Sequence, residues 1–185
     1  MIIFGFVDPA EYSGLAIFKV VTGKDPELLY SEFMADSYDH PRQTRKKILR
    51  WIKKAEEELG VKIDWLVVED QYSGPNIAGA FKVFRRSIEF EEAAYRYKIK
   101  KVSRIMPSVW QSRLWKDYEK PKKDKKTKKP SAAKLREMKK MIILSIASKL
   151  IGEKLELKIK GHIDRATAIV MGLSCLKHST NFKVT

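Results

Sequence analysis

Three carboxylates, Asp8, Glu69 and Asp164, stand where they can do chemistry together. Asp8 follows the apolar run Met1-Ile2-Ile3-Phe4-Gly5-Phe6-Val7, and Glu69 follows Ile63-Asp64-Trp65-Leu66-Val67-Val68. An acid at the end of a buried strand is costly unless it has a partner. Asp164 opens a third hydrophobic element near the C-terminus. Acids gathered on one sheet edge repel one another, and a divalent cation bound by their oxygens removes that cost. The chain has 185 residues and a formal charge of +15, from 38 Lys or Arg against 23 Asp or Glu. Clustered acids inside so basic a protein point to metal-assisted chemistry on a phosphate backbone.

The elements that must position these acids can be read from the apolar pattern. Residues 1–6 form a continuous apolar run, typical of a central strand. Glu11-Tyr12-Ser13-Gly14 makes a turn, and residues 15–21 form a second strand. After the turn at Thr22-Gly23-Lys24-Asp25-Pro26, residues 28–34 return as an edge strand or form a short helix. A helix begins at Asp39-His40-Pro41, carries Ile48, Ile52, Ala55 and Leu59 on one face and ends at Gly60. Residues 61–68 are the next strand, so strand, helix and strand make a right-handed crossover. Asn76 caps a further helix with a buried stripe of Ile77, Phe81, Phe84 and Ile88. Residues 101–107 form a short fifth strand. Ser131 caps a helix with Leu135, Met138, Ile142 and Ile146 on one face, and Gly152 ends it. Leu155, Leu157 and Ile159 alternate with charged residues as a short strand or extended segment. Asp164 then caps a last helix whose apolar positions include Ile169, Leu173 and Leu176. This order predicts one α/β domain over residues 1–185, built on a mixed five-stranded sheet flanked by helices. The first three strands are antiparallel, and the later ones run parallel to the first.

Between these elements lies a lysine-rich loop at about 116–130, in which Lys122, Lys123, Lys125, Lys126, Lys128 and Lys129 are flanked by Pro121 and Pro130. It has no apolar face, so it reads either as a solvated linker or as an arm that contacts phosphates. The single cysteine, Cys175, lies in an apolar helical stretch and is expected in the core. One cysteine excludes an internal disulfide and a zinc ribbon. Met1 leads directly into a strand, and the longest apolar stretch, residues 141–150, is too short to span a bilayer. The expectation is an intracellular, soluble protein with no membrane partner.

The order of acids resembles the RuvC-like Holliday junction resolvases of the ribonuclease H-like superfamily. Phe6-Val7-Asp8-Pro9 followed by Gly14-Leu15-Ala16 resembles the opening of that family. Val67-Val68-Glu69-Asp70-Gln71-Tyr72 with Asn76 resembles its second motif, and Pro107-Ser108-Val109-Trp110 the segment that turns back towards the active-site edge. The resemblance implies a ribonuclease H-like fold and an endonuclease that resolves four-way DNA junctions by paired symmetric nicks, as a homodimer. It implies two Mg²⁺ or Mn²⁺ ions held by Asp8, Glu69 and Asp164, with Lys134 as a basic residue near the site. Family members place a pair of ligands three residues apart at the last motif. Here His162 and Asp164 are two apart, and Arg165 follows. Either His162 reaches the metal from the preceding loop or one acid serves alone. Tyr72, three residues after Glu69, is placed to stack on an unpaired base.

Each residue also has a plainer use. Asp8 can cap a turn, Asp164 can cap its helix, and His162 can be an exposed loop histidine. Lys134 can be a surface lysine, and Tyr72 can cover the base of its own helix. Asp64 and Asp70 serve as controls, since side chains alternate along a strand and Asp70 must point away from Glu69. Two other functions share the same acids: a ribonuclease H-like nuclease acting on RNA–DNA hybrids or flaps, and a catalytically decayed nucleic acid binding module.

Overall fold

A computed structural model of the chain describes residues 1–35, 40–70, 77–119 and 132–178. Strands β1 (Ile2–Asp8), β2 (Tyr12–Val20) and β3 (Glu27–Ala35) form an antiparallel meander. Helix α1 (Pro41–Leu59) crosses to β4 (Trp65–Glu69), which pairs parallel with β1. Helix α2 (Ile77–Arg96) leads to β5 (Lys101–Ile105), parallel to β4. The strand order is β3-β2-β1-β4-β5, the predicted mixed five-stranded sheet. Helices α3 (Pro107–Asp117), α4 (Ala132–Ile151) and α5 (His162–His178) complete the domain.

Alternation along the strands divides the core in two. Phe4, Phe6, Ala16, Phe18 and Val67 face α3, α4 and α5. Ile3, Val7, Leu15, Ile17, Leu66 and Val68 face α1 and α2. Helix α5 is apolar nearly all round because it is covered twice, by the sheet beneath and by α3 and α4 above. Small residues let it sit close. A Cβ at Gly172 would overlap the Phe18 ring and come within 2.8 Å of Phe6. Cys175 is buried on this helix, as expected.

Residues 28–34 belong to an edge strand, which settles the open choice between strand and helix there. Several expectations need correction. The fourth strand starts at Trp65, not at Val61. The Ile63 N–H donates to Glu56 Oε1 at 2.7 Å and the Val61 N–H to the Glu56 carbonyl at 3.2 Å, so these groups serve the end of α1 instead of a ladder. The α2 stripe is rotated: Phe81 is 67% exposed and Phe84 40%, while Ser87, Phe90, Ala93 and Ala94 are buried. Ser87 Oγ donates to the carbonyl of Glu69, the last residue of β4. The turns of α2 before Ser87 carry the exposed Phe81 and Phe84, and Arg104 of β5 lies over the Phe84 ring. On α4, Met138 is exposed and Ile143, Leu144, Ile146 and Ala147 face the core. Only its C-terminal half meets α5, and the buried face follows that contact. Residues 155–159 form irregular turns without a strand. Helix α3, which runs to Asp117 after Pro107, was not foreseen and shortens the lysine-rich segment. The proposed caps Asn76 and Ser131 lie outside the described residues.

Candidate metal centre

Strand alternation decides where each acid points. Asp8 shares its face with Phe4 and Phe6, and Glu69 shares its face with Val67, so both look towards α5. The parallel register pairs Val7 with Val68, which sets Asp8 beside Glu69 one step on. Their side chains are hydrogen-bonded to each other. Asp164 arrives from above through a glycine. Gly14 is the register partner of Asp8 across β2, and the Asp164 carbonyl and Arg165 amide pack directly on its Cα. Any side chain at Gly14 would hold the start of α5 away from Asp8. The three acids foreseen from the sequence thus occupy one end and one face of the sheet.

They are held at an electrostatic cost. Burial, then the charges of Glu69 and Asp164, push the Asp8 carboxyl well above its usual range. Burial pushes Glu69 up to about 7, with the Trp110 and Asp8 hydrogen bonds opposing. Burial pushes Asp164 up to about 6, opposed by the charge of Lys140 and increased by that of Glu11. Among the described residues, no three acids, histidines or cysteines converge to ligand distance. Asp8 and Glu69 are hydrogen-bonded to each other, and Asp164 raises both carboxyls through its charge. The donor set is all oxygen, carboxylate and partly dry, which suits a hard divalent cation such as Mg²⁺ or Mn²⁺.

This charge burden predicts an unusual pH response. The folded carboxyls bind protons more tightly than the unfolded ones. The contribution of these two acids to stability is therefore greatest below the ordinary carboxylate range and is lost as pH rises through about 6 to 7. With chelator present, thermal melts at pH 5 and pH 8 are expected to differ by roughly 5 °C in favour of pH 5. Saturating Mg²⁺ is expected to recover most of that loss at pH 8. Equal or greater stability at pH 8 without metal would contradict the assignment of a strained acid cluster.

The controls behave as strand geometry requires. Asp64 Oδ2 accepts from the Ile3 N–H at 3.0 Å and Oδ1 pairs with Lys100 at 2.7 Å, at the opposite end of β4. Asp70 pairs with Arg104 at 3.3 Å, and Arg104 also holds Glu91. The last motif is arranged differently from the expectation. Asp164 lies in the first turn of α5, not at its cap. His162 Nδ1 accepts from the Glu156 N–H at 3.0 Å, and its ring packs edge-on against Phe33. Arg165 reaches away to Ser31 and Glu153. The three-residue spacing is met instead by Asp164 and Thr167, whose hydroxyl donates to the Ile163 carbonyl at 2.9 Å and lies beside the Asp8 carboxyl. Lys134 is exposed near the start of α4, and the lysine whose charge acts on Asp164 is Lys140, further along that helix. Tyr72 and Lys122, Lys123, Lys125, Lys126, Lys128 and Lys129 lie outside the described residues.

The sequence reading missed Thr167, Lys140 and the role of Trp110. Thr167 was findable, because residues three apart on a helix share a face. Trp110 carried a weaker signal: a buried indole needs an acceptor for its N–H, and the acceptor is Glu69 Oε1 at 2.6 Å. Lys140 carried none, since the phase of α4 follows from tertiary contact.

No family model matches the chain, and no curated protein matches it. Solved structures do. The fold is similar to that of RuvC from Thermus thermophilus in complex with a Holliday junction substrate, at 15% identity and a TM-score of 0.60, covering 97% of this chain and 98% of that one. RuvC from Thermus thermophilus in another structure gives 14% identity and a TM-score of 0.59, with 95% and 96% covered. The yeast mitochondrial Holliday junction resolvase Ydc2 gives 11% identity and a TM-score of 0.53, with 97% and 82% covered. The fold is therefore RuvC-like and ribonuclease H-like over nearly the whole chain.

Proposed function

We propose that this chain is a divalent-metal-dependent endonuclease that cuts branched DNA, four-way junctions above all. The observation that carries the reading is the convergence of Asp8, Glu69 and Asp164 from β1, β4 and α5 on one face of one sheet end, in a chain of formal charge +15. The RuvC-like fold, in one case solved with a junction substrate, supports the choice of substrate. Asp8, Glu69 and Asp164 are the residues that would hold the ions. Held there, Mg²⁺ or Mn²⁺ would supply Lewis-acid chemistry for hydrolysis of a phosphodiester. Asp8 is the acid acted on by both of the others. Trp110 holds Glu69 by a neutral donor, and the Thr167 hydroxyl lies beside Asp8. Lys140 offsets negative charge on the phosphate side, the part first assigned to Lys134. His162 has no ligand role in this reading.

Two features extend the proposal from the site to the substrate. A four-way junction has near two-fold symmetry, and paired nicks need two sites, so the active species is a homodimer. The exposed Phe81 and Phe84 on the turns of α2 before Ser87 supply the apolar patch for it. Lys122, Lys123, Lys125, Lys126, Lys128 and Lys129 add phosphate contacts that raise affinity without entering the chemistry. Tyr72 stacks on an unpaired base near the nick. One panel tests the reading. Junction, flap, linear duplex and RNA–DNA hybrid are compared with Mg²⁺ and with Mn²⁺. Two symmetric nicks in the junction, suppressed by chelator, are expected. Cleavage of the hybrid alone would move the protein to a ribonuclease H-like activity, and no cleavage of any substrate would make it a binding module.

A further inference from the structure

Glu69 is fixed on three sides. Its backbone is in the sheet, in register with Ile105 of β5, and its carbonyl accepts from Ser87 Oγ at 3.2 Å. Its side chain is buried at 6% exposure. The remaining freedom is rotation of the carboxylate, and one group restrains it from α3. Pro107 starts that helix directly after β5, and one turn later Trp110 lies fully buried with its indole N–H on Glu69 Oε1 at 2.6 Å. An indole nitrogen only donates, cannot ionise and has a single direction. It therefore orients the carboxylate without competing for a cation and without adding charge to the site. A lysine or arginine in its place would neutralise the acid that an ion needs.

We propose that Trp110 is a positioning residue for the metal centre: its indole N–H fixes the Glu69 carboxylate against Asp8 and thereby sets the affinity for the divalent ion. The inference rests on the metal reading of the acid cluster and assigns to α3 a part in it. Outer hydrogen-bond partners of ligands commonly carry about 10- to 100-fold in metal affinity.

The chain contains its own internal controls. The indoles of Trp51 and Trp65 donate to Glu32 at 3.0 Å and to Ser103 at 2.8 Å, both outside the acid cluster. In uniformly ¹⁵N-labelled full-length protein, Mg²⁺ is titrated while the assigned indole N–H resonances are followed. The Trp110 resonance is expected to move with saturation, while those of Trp51 and Trp65 stay in place. In parallel, Mn²⁺ binding by electron paramagnetic resonance is expected to weaken about tenfold in Trp110→Phe. Junction affinity in chelator should be unchanged in that variant. If the variant does not fold, the resonance titration on the wild type decides alone. A wild type that binds Mn²⁺ while its Trp110 resonance stays fixed in the Mg²⁺ titration overturns the inference and leaves the metal centre standing. A wild type that binds no Mn²⁺ and shows no moving resonance overturns both.

Discussion

Asp8→Asn and Glu69→Gln are expected to lower junction cleavage by about 1000-fold or more, because each removes a ligand from a centre whose ions are worth several kcal/mol to the transition state. Junction binding should change by less than about threefold, since the phosphate contacts are proposed to come from the lysine-rich segment and not from the acids. The same substitutions carry a second signature. Asp8 sits where burial and the charges of Glu69 and Asp164 disfavour ionisation. An amide there removes a repelling acid, so Asp8→Asn should melt higher than the wild type at pH 8 in chelator. Function and stability then move in opposite directions at one residue, as expected for a strained site. Cleavage gels, junction affinity and thermal melts of the two variants check this. Full cleavage by either variant would remove that residue from the mechanism.

Gly14→Ala is expected to be nearly as damaging from a residue with no chemistry. An added Cβ would overlap the Asp164 carbonyl and lie 2.7 Å from the Arg165 amide nitrogen. These are backbone atoms at the start of a buried helix and cannot rotate away. The first turn of α5 must shift, carrying Asp164 from Asp8. A displacement of about 1 Å at a reacting centre costs on the order of 100-fold in rate, and overpacking of this kind costs about 1–3 kcal/mol in stability. Gly5→Ala is the comparison. Its Cβ would meet Leu66 Cδ1 at 2.8 Å and Ile63 Cδ1 at 3.3 Å, on the face away from the acids. Those are ends of flexible side chains, so Gly5→Ala should lose less stability and keep its cleavage. Melting temperatures and nicking rates of the pair test the claim, and equal rates would show that Gly14 does not position Asp164.

The strand acids were legible because two local rules agree at them. Apolar runs mark buried strands, and alternation fixes which face the closing residue takes, so Asp8 and Glu69 could be placed and Asp64 and Asp70 set aside. The sheet order followed from the same runs and the crossover at α1. The stripes on α2 and α4 were misread in part: Ile142 and Ile146 pack on the core as expected, while Phe81, Phe84 and Met138 are exposed. Periodicity locates a helix, but its buried face and extent depend on what lies beneath it. Phe81 and Phe84 are on the turns of α2 before Ser87, and Met138 is on the part of α4 that does not reach α5. The last motif left two arrangements open, His162 beside Asp164 or one acid alone. Helical geometry pairs Asp164 with Thr167, while His162 is committed to the Glu156 amide and the Phe33 ring. Trp110 and Lys140 join the site through tertiary contact alone.

The central claim is that Asp8, Glu69 and Asp164 hold divalent metal. Anomalous diffraction from crystals soaked in Mn²⁺ measures it directly. Anomalous density is expected among these three carboxylates in the wild type, diminished or lost in Asp8→Asn. Ordered Mn²⁺ only at other sites, or density unchanged in Asp8→Asn, would contradict it.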